Sequence, residues 1–155
     1  MRSFPFEFVE RRPGAAPCLA QIHDFGIAAI QSMGPVCVGL NGMKIGGPRL
    51  VNALARPRDK APQAVMMWPI PTFVMYRVTT RAHGCKPLEV PLEAAWDLDV
   101  QAMLRGLEYM RPNVVFIASP NNPTGNRMSV DRIERVLEAA ADTLVIVDEA
   151  YADFA

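Results

Sequence analysis

The sequence predicts an α/β fold around a mostly parallel sheet, and three observations carry that expectation. Two continuously apolar runs, Asn113–Ala118 and Thr143–Val147, have the character of strands covered on both faces by helices. Between them Val130, Ile133, Val136, Leu137 and Ala140 recur at helical spacing, giving a strand–loop–helix–strand unit. Each apolar run is followed at once by polar residues, the arrangement expected where ligands bind beyond the carboxyl ends of parallel strands.

The other elements follow in chain order from Ala64. Ala64–Trp68 is a short apolar run that reads as a strand. Phe73–Ala82 has helix-compatible spacing after Pro71-Thr72, with Gly84 as its stop. Lys86–Val90 reads as a second strand. Asp97 or Asp99 is placed to cap a helix reaching about Met110, with Val100, Met103, Leu104 and Leu107 on one face. Ser129 is placed to cap the helix that carries Val130 and Ile133.

The chain changes character near residue 62. In 1–62, glycine, proline and arginine are scattered without period, and only a short helix at Leu50–Ala55 is suggested. The domain organisation expected is an irregular segment at 1–62 and an orderly α/β part at 63–155. The 14 prolines exceed the usual share of about 5%, and many fall in the irregular segment.

Composition excludes several classes. With 16 Lys+Arg against 16 Asp+Glu, the charge is balanced, unlike a nucleic-acid binder that must neutralise phosphates. Phe25–Met43 is interrupted by Gln31, Pro35 and Asn41, short of the roughly 20 apolar residues a membrane span needs. Met1–Glu10 has no apolar core of a secretory signal. Cys18, Cys37 and Cys85 are widely spaced, and His23 and His83 are isolated, so no metal site is expected. Reduced thiols and a cytoplasmic location follow.

The chemistry concentrates in two segments, Ser119–Asn126 (SPNNPTGN) and Asp148-Glu149-Ala150-Tyr151. If their strands are parallel and close, Asn122 and Asp148 lie on one rim. An aspartate ending an apolar strand is partly desolvated and favours a cationic partner such as a protonated ring nitrogen. Tyr151 adds a phenol and Asn122 an amide donor. Each has an ordinary alternative: a helix cap for Asp148, a turn for the Asn122–Gly125 stretch, core for Phe73, a surface position for Tyr151.

SPNNPTGN followed by VIVDEAYADFA resembles the fold-type-I pyridoxal-phosphate (PLP) aminotransferases, and most closely the histidinol-phosphate aminotransferases. Pro69–Val78 (PIPTFVMYRV) and Glu89–Leu92 with Asp97–Asp99 fit the same pattern, in unbroken order over about 64–155. The resemblance implies part of a three-layer α/β/α PLP-binding large domain, incomplete at its C-terminus. It implies that Asp148 pairs with the pyridinium nitrogen, that Asn122 and Tyr151 bond the ring's phenolic oxygen, that Phe73 stacks on the ring, and that Pro123 and Gly125 shape the loop. It further implies a homodimer that transfers an amino group between histidinol phosphate and 2-oxoglutarate in histidine biosynthesis.

Two family features have no match. The Schiff-base lysine follows the aspartate–tyrosine motif in the family, whereas the lysines here are Lys44, Lys60 and Lys86. No catalytic residue is therefore assigned, and the chain alone is expected to be inactive and to hold PLP weakly or not at all. Gly39–Lys44 is the nearest counterpart of the family's phosphate loop but lacks its hydroxyl and acid, so no phosphate site is assigned. A truncated or partly out-of-frame copy of an aminotransferase gene accounts for both. The other readings are a non-catalytic remnant or interaction fragment, and a threonine-phosphate decarboxylase-like member of the superfamily. With Thr143–Val147 as an unpaired apolar edge, self-association or aggregation is expected. A generic nucleotide-binding module is disfavoured, since neither GxGxxG nor GxxxxGK[ST] occurs.

Overall fold

The computed structural model describes residues 19–21, 37–40, 56–58 and 61–151. Its strands are β1 (Leu19–Gln21), β2 (Cys37–Leu40), β3 (Val65–Ile70), β4 (Lys86–Pro91), β5 (Val114–Ala118) and β6 (Leu144–Asp148). Its helices are α1 (Met75–Ala82), α2 (Val100–Met110) and α3 (Val130–Ala139). The strands pair in the order β1-β2-β6-β5-β3-β4, every pair parallel.

Strand periodicity divides the core in two. Met67, Val115, Ile117, Val145 and Val147 face α2 and α3, packing with Val100, Met103, Leu107, Ile133, Val136 and Leu137. Their neighbours Met66, Trp68, Val114, Phe116, Leu144 and Ile146 face α1, packing with Tyr76. Among the described residues, one helix on one face and two on the other make the three layers expected.

Local chemistry explains the element ends. At the end of α1, the Cys85 N–H donates to Thr80 O and the Gly84 N–H to Arg81 O, with Gly84 at φ +64°. This is a Schellman stop, which needs the left-handed conformation glycine adopts without strain. Asp99 caps α2 by accepting from the Ala102 N–H at 2.9 Å. Ser129 does sit at the N-cap of α3, but its side chain makes no cap bond. Its hydroxyl donates instead to Asp97, which also accepts from the Ser129 N–H at 3.1 Å and meets Arg132 at 3.4 Å. Asp97 thus ties the loop before α2 to the start of α3. At the opposite end of the sheet, the Asn113 side chain accepts from the Val65 N–H at 3.0 Å and donates to Arg56 O at 2.8 Å.

Four expectations need correction or fall outside the description. Val130 does not join the buried face of α3; it is exposed, while Ile133, Val136 and Leu137 are buried. The strand at 144–148 is not an open edge, because β2 pairs with it from Cys37↔Val145 to Leu40↔Asp148. The physical reason is that a segment with no sequence periodicity still offers backbone donors and acceptors to a neighbouring strand. The suggested helix at Leu50–Ala55 lies outside the described residues, as do Asn41–Lys44 of the phosphate-loop counterpart.

Candidate cofactor site at the strand rim

The chain winds outward from β3 to β4, then returns to β5 and winds the other way to β6. The loops leaving β3 and β5 therefore diverge, and their helices α1 and α3 lie on opposite faces of the sheet. In open α/β sheets such a reversal opens the crevice where ligands sit.

Asn121 holds the two loops together at this point. It is 2% exposed. Its side-chain oxygen accepts from the Thr72 hydroxyl at 2.7 Å. Its amide donates to Pro71 O at 3.0 Å and to the Thr124 hydroxyl at 2.7 Å. The Gly125 N–H returns to Asn121 O at 2.8 Å, with Gly125 at φ +76°.

Asp148 ends β6, and its register partner Ala118 ends β5. Alternation along β6 puts the Asp148 side chain on the α1 face, with Leu144 and Ile146. It is 5% exposed. The Tyr76 phenol donates to its Oδ2 at 2.9 Å, and the Ala150 N–H donates to its Oδ1 at 3.1 Å. Tyr76 stacks on Phe116 at 4.7 Å between centroids, and Phe73 meets Tyr76 edge-on at 5.8 Å. Burial pushes the Asp148 carboxyl above the usual carboxylate range, opposed by the bonds from Tyr76 and Ala150. Burial foremost, then the Asp148 charge and hydrogen bond, also raise the Tyr76 phenol, which stays a neutral donor.

Asn122 and Tyr151 come together on the same rim, the Asn122 amide reaching the Tyr151 hydroxyl at 3.4 Å. Tyr151 is 45% exposed and Asn122 is partly exposed. Phe73 is partly buried in the β3–α1 loop, two residues before α1, packed against Tyr76 and its cluster. Lys86 lies exposed at the start of β4, opposite Val65, at the far end of the sheet from Asp148. Sequence reasoning missed Tyr76 and Asn121. Among the described residues no cluster of His, Cys, Asp and Glu could hold a metal ion, and no helix is long and apolar enough to cross a membrane.

The donor set fits a flat ring with one basic nitrogen. A buried carboxylate whose oxygens keep acceptor capacity suits a ring N–H, and the Asn122 amide and Tyr151 phenol suit an exocyclic ring oxygen.

A parallel three-layer fold with a buried carboxylate at the strand rim defines an α/β protein with a candidate ligand crevice at the carboxyl ends of its strands. Residues 46–155 match the family described as aminotransferase class I and II, and the chain belongs to that family. PLP is the cofactor of this family. The chain is 42% identical over 110 residues to histidinol-phosphate aminotransferase 2 of Burkholderia pseudomallei (strain 1710b), covering 71% of this chain and 31% of the relative. It is 40% identical to the histidinol-phosphate aminotransferase of Methylibium petroleiphilum, covering 71% and 30%. The chain thus spans about a third of the length of these curated relatives.

Among solved structures, N-succinyldiaminopimelate aminotransferase from Mycobacterium tuberculosis aligns with TM-score 0.57 at 28% identity, covering 65% of this chain and 26% of that one. The histidinol-phosphate aminotransferase of Sinorhizobium meliloti, solved in complex with pyridoxal-5'-phosphate, shares the fold with TM-score 0.54 at 24% identity, covering 59% and 25%.

Proposed function

We propose that residues 63–155 are the central part of the cofactor-binding large domain of a PLP-dependent aminotransferase. Its substrates are histidinol phosphate and 2-oxoglutarate, in cytoplasmic histidine biosynthesis. The observation that carries this reading is the buried Asp148 carboxylate beside the Asn122–Tyr151 pair, on one rim of a chain 42% identical to a histidinol-phosphate aminotransferase. The same identity supports histidinol phosphate over a threonine-phosphate decarboxylase reading.

Each residue has a task. Asp148 holds a proton on the ring nitrogen. Asn122 and Tyr151 orient the ring through its phenolic oxygen. Phe73 lies against the ring face. Asn121 fixes the loop that carries Asn122. PLP, when bound, supplies the electron-withdrawing ring that stabilises negative charge at the substrate carbon.

The chain alone does not turn over. The reading is supported by its three lysines, Lys44, Lys60 and Lys86, all preceding Asp148. Two copies associate, as in the family's homodimers. The exposed Val74, Met75 and Val78 beside and on α1 support this.

The test is titration of the chain with PLP, followed by a transamination assay with histidinol phosphate and 2-oxoglutarate. Saturable binding weakened by Asp148→Ala and Asn122→Ala is expected, with no glutamate formed above the rate of free PLP. Binding indifferent to both substitutions would overturn the site. Turnover by the chain alone would overturn the inactivity. Gel filtration checks association.

A further inference from the structure

We propose that Tyr76 is a positioning residue for Asp148: its phenol holds the carboxylate by one oxygen and keeps it anionic, so that the proton shared with a cofactor ring resides on the ring nitrogen. This rests on the cofactor reading above and adds a role for a residue outside the ring-gripping set.

The geometry isolates the contact. Tyr76 is fully buried, and its hydroxyl donates to Asp148 Oδ2 at 2.9 Å across 72 positions of sequence. Its ring cannot swing away. It is stacked on Phe116, with planes 11° apart, and Phe73 packs edge-on against its side. The Thr80 hydroxyl, one turn further along α1, donates to Tyr76 O at 2.7 Å. A phenol fixed in this way fixes the plane of the carboxylate it touches. With the Ala150 N–H on Oδ1, each carboxylate oxygen has one protein donor and keeps acceptor capacity for a ring N–H.

The consequence for the proton follows from simple acidity. Burial drives the Asp148 carboxyl toward its neutral form, the wrong form for pairing with a pyridinium. A neutral donor on Oδ2 stabilises the anion and not the acid, and so opposes that drift. Ala150 acts in the same sense through Oδ1. Only Tyr76 can be edited without changing the backbone. Removing its hydroxyl while keeping the ring preserves the stack on Phe116 and deletes only the donor.

The experiment has two arms on the full 155-residue chain. In the first, carboxyl-carbon NMR follows the protonation midpoint of Asp148 without cofactor in the native chain, in Tyr76→Phe, and with Tyr76 replaced by difluorotyrosine, whose phenol is a stronger donor. The midpoint is expected to rise in Tyr76→Phe and to fall with difluorotyrosine. A structural role alone would not make it follow donor strength. In the second arm, pyridoxamine 5'-phosphate labelled with nitrogen-15 in the ring is the probe, because it lacks the aldehyde that reacts with surface lysines. At a pH where the free ring nitrogen is unprotonated, the bound probe is expected to be protonated in the native chain. It should be less so in Tyr76→Phe, with affinity reduced about tenfold, and unprotonated in Asp148→Asn.

A midpoint unmoved across the first series, or equal ring protonation in the native chain and Tyr76→Phe, overturns the role of Tyr76 and leaves the cofactor reading standing. A probe that does not bind, or whose nitrogen ignores Asp148→Asn, overturns the cofactor reading and this proposal with it. Thermal unfolding of Tyr76→Phe checks that the fold persists. If that variant does not fold, the difluorotyrosine chain alone decides the first arm.

Discussion

The Thr72 hydroxyl donates to the side-chain oxygen of Asn121 at 2.7 Å, joining residues 49 positions apart. This bond and the one from Asn121 to Pro71 O bridge the divergent loops after β3 and β5. Asn121→Ala removes three part-buried hydrogen bonds, each worth about 0.5–1.5 kcal/mol. We expect a loss of about 2–3 kcal/mol in urea denaturation. Thr72→Val, which removes one donor and leaves the Asn121 amide engaged, should lose less. A neutral Asn121→Ala would show that the loops are held by other means.

Asn122 and Tyr151 should behave in the opposite way. Their contact is exposed and long, at 3.4 Å, so stability should change by less than about 0.5 kcal/mol in Asn122→Ala or Tyr151→Phe. Pyridoxamine phosphate affinity should nevertheless fall in both. Isothermal titration against the denaturation curves separates the two effects.

Gly106 marks the close approach of α2 to the sheet. A Cβ there would stand 2.6 Å from the Met67 sulfur and 3.3 Å from Leu88 Cδ2. Gly→Ala in a helix gains up to about 1 kcal/mol in propensity, whereas overpacking loses about 1–3 kcal/mol. Met67 is itself fully buried, so packing should win. Gly106→Ala is expected to destabilise, and Met67→Val in the same chain should recover part of the loss. Thermal denaturation of the native chain and the two variants checks this.

Two carboxylates should give opposite pH responses. At Asp97, burial raises the carboxyl, but the Ser129 hydroxyl, the Leu98 and Ser129 N–H groups and the Arg132 charge outweigh it and hold it below the ordinary value. Its contribution is therefore present above the unfolded carboxylate pKa and lost as pH falls through the folded value. Asp148 is raised by burial, so its contribution is present below the unfolded pKa and lost as pH rises through the folded value. Relative to the native chain, Asp97→Asn should flatten the acid limb of the stability–pH curve. Asp148→Asn should flatten the decline above it. Urea midpoints across the acidic range would show both slopes, and reversed signs would refute the assignment.

Gly125 adopts φ +76° with open space around its missing side chain, so only backbone strain opposes substitution. Gly125→Ala should lose about 1 kcal/mol, and Gly125→Asn less, because asparagine tolerates this conformation. Differential scanning calorimetry distinguishes the pair.

Much of this architecture was legible in the residues. Val114–Ala118 and Leu144–Asp148 are apolar throughout because both their faces are covered, and a continuous apolar run needs no knowledge of its partners. Gly84 at its stop was legible, and the cap of α2 was narrowed to Asp97 or Asp99, because both signals act within a few residues. Asp148 stood out as a charge ending a buried strand. Tyr76 did not, because its meaning depends on β5 lying between β3 and β6, an order that periodicity does not encode. Its helical face, shared with Thr79 and Thr80, gave little apolar signal. Asn121 and Asn122 are chemically identical neighbours, and only the loop's path buries one and leaves the other partly exposed. The pairing of β2 with β6 had no side-chain pattern to announce it.

The span of the Tyr76–Asp148 bond also sets a timetable for folding. It closes 72 positions of chain and needs β3, β5 and β6 aligned first. Local helices and the β3–β4 pair can form long before such a distant contact. We predict that the carboxylate acquires its phenol after the folding barrier has been crossed. Deleting that hydroxyl should speed unfolding in stopped-flow measurements and leave the refolding rate nearly unchanged. A nascent sheet of this kind has its shape before it has its chemistry.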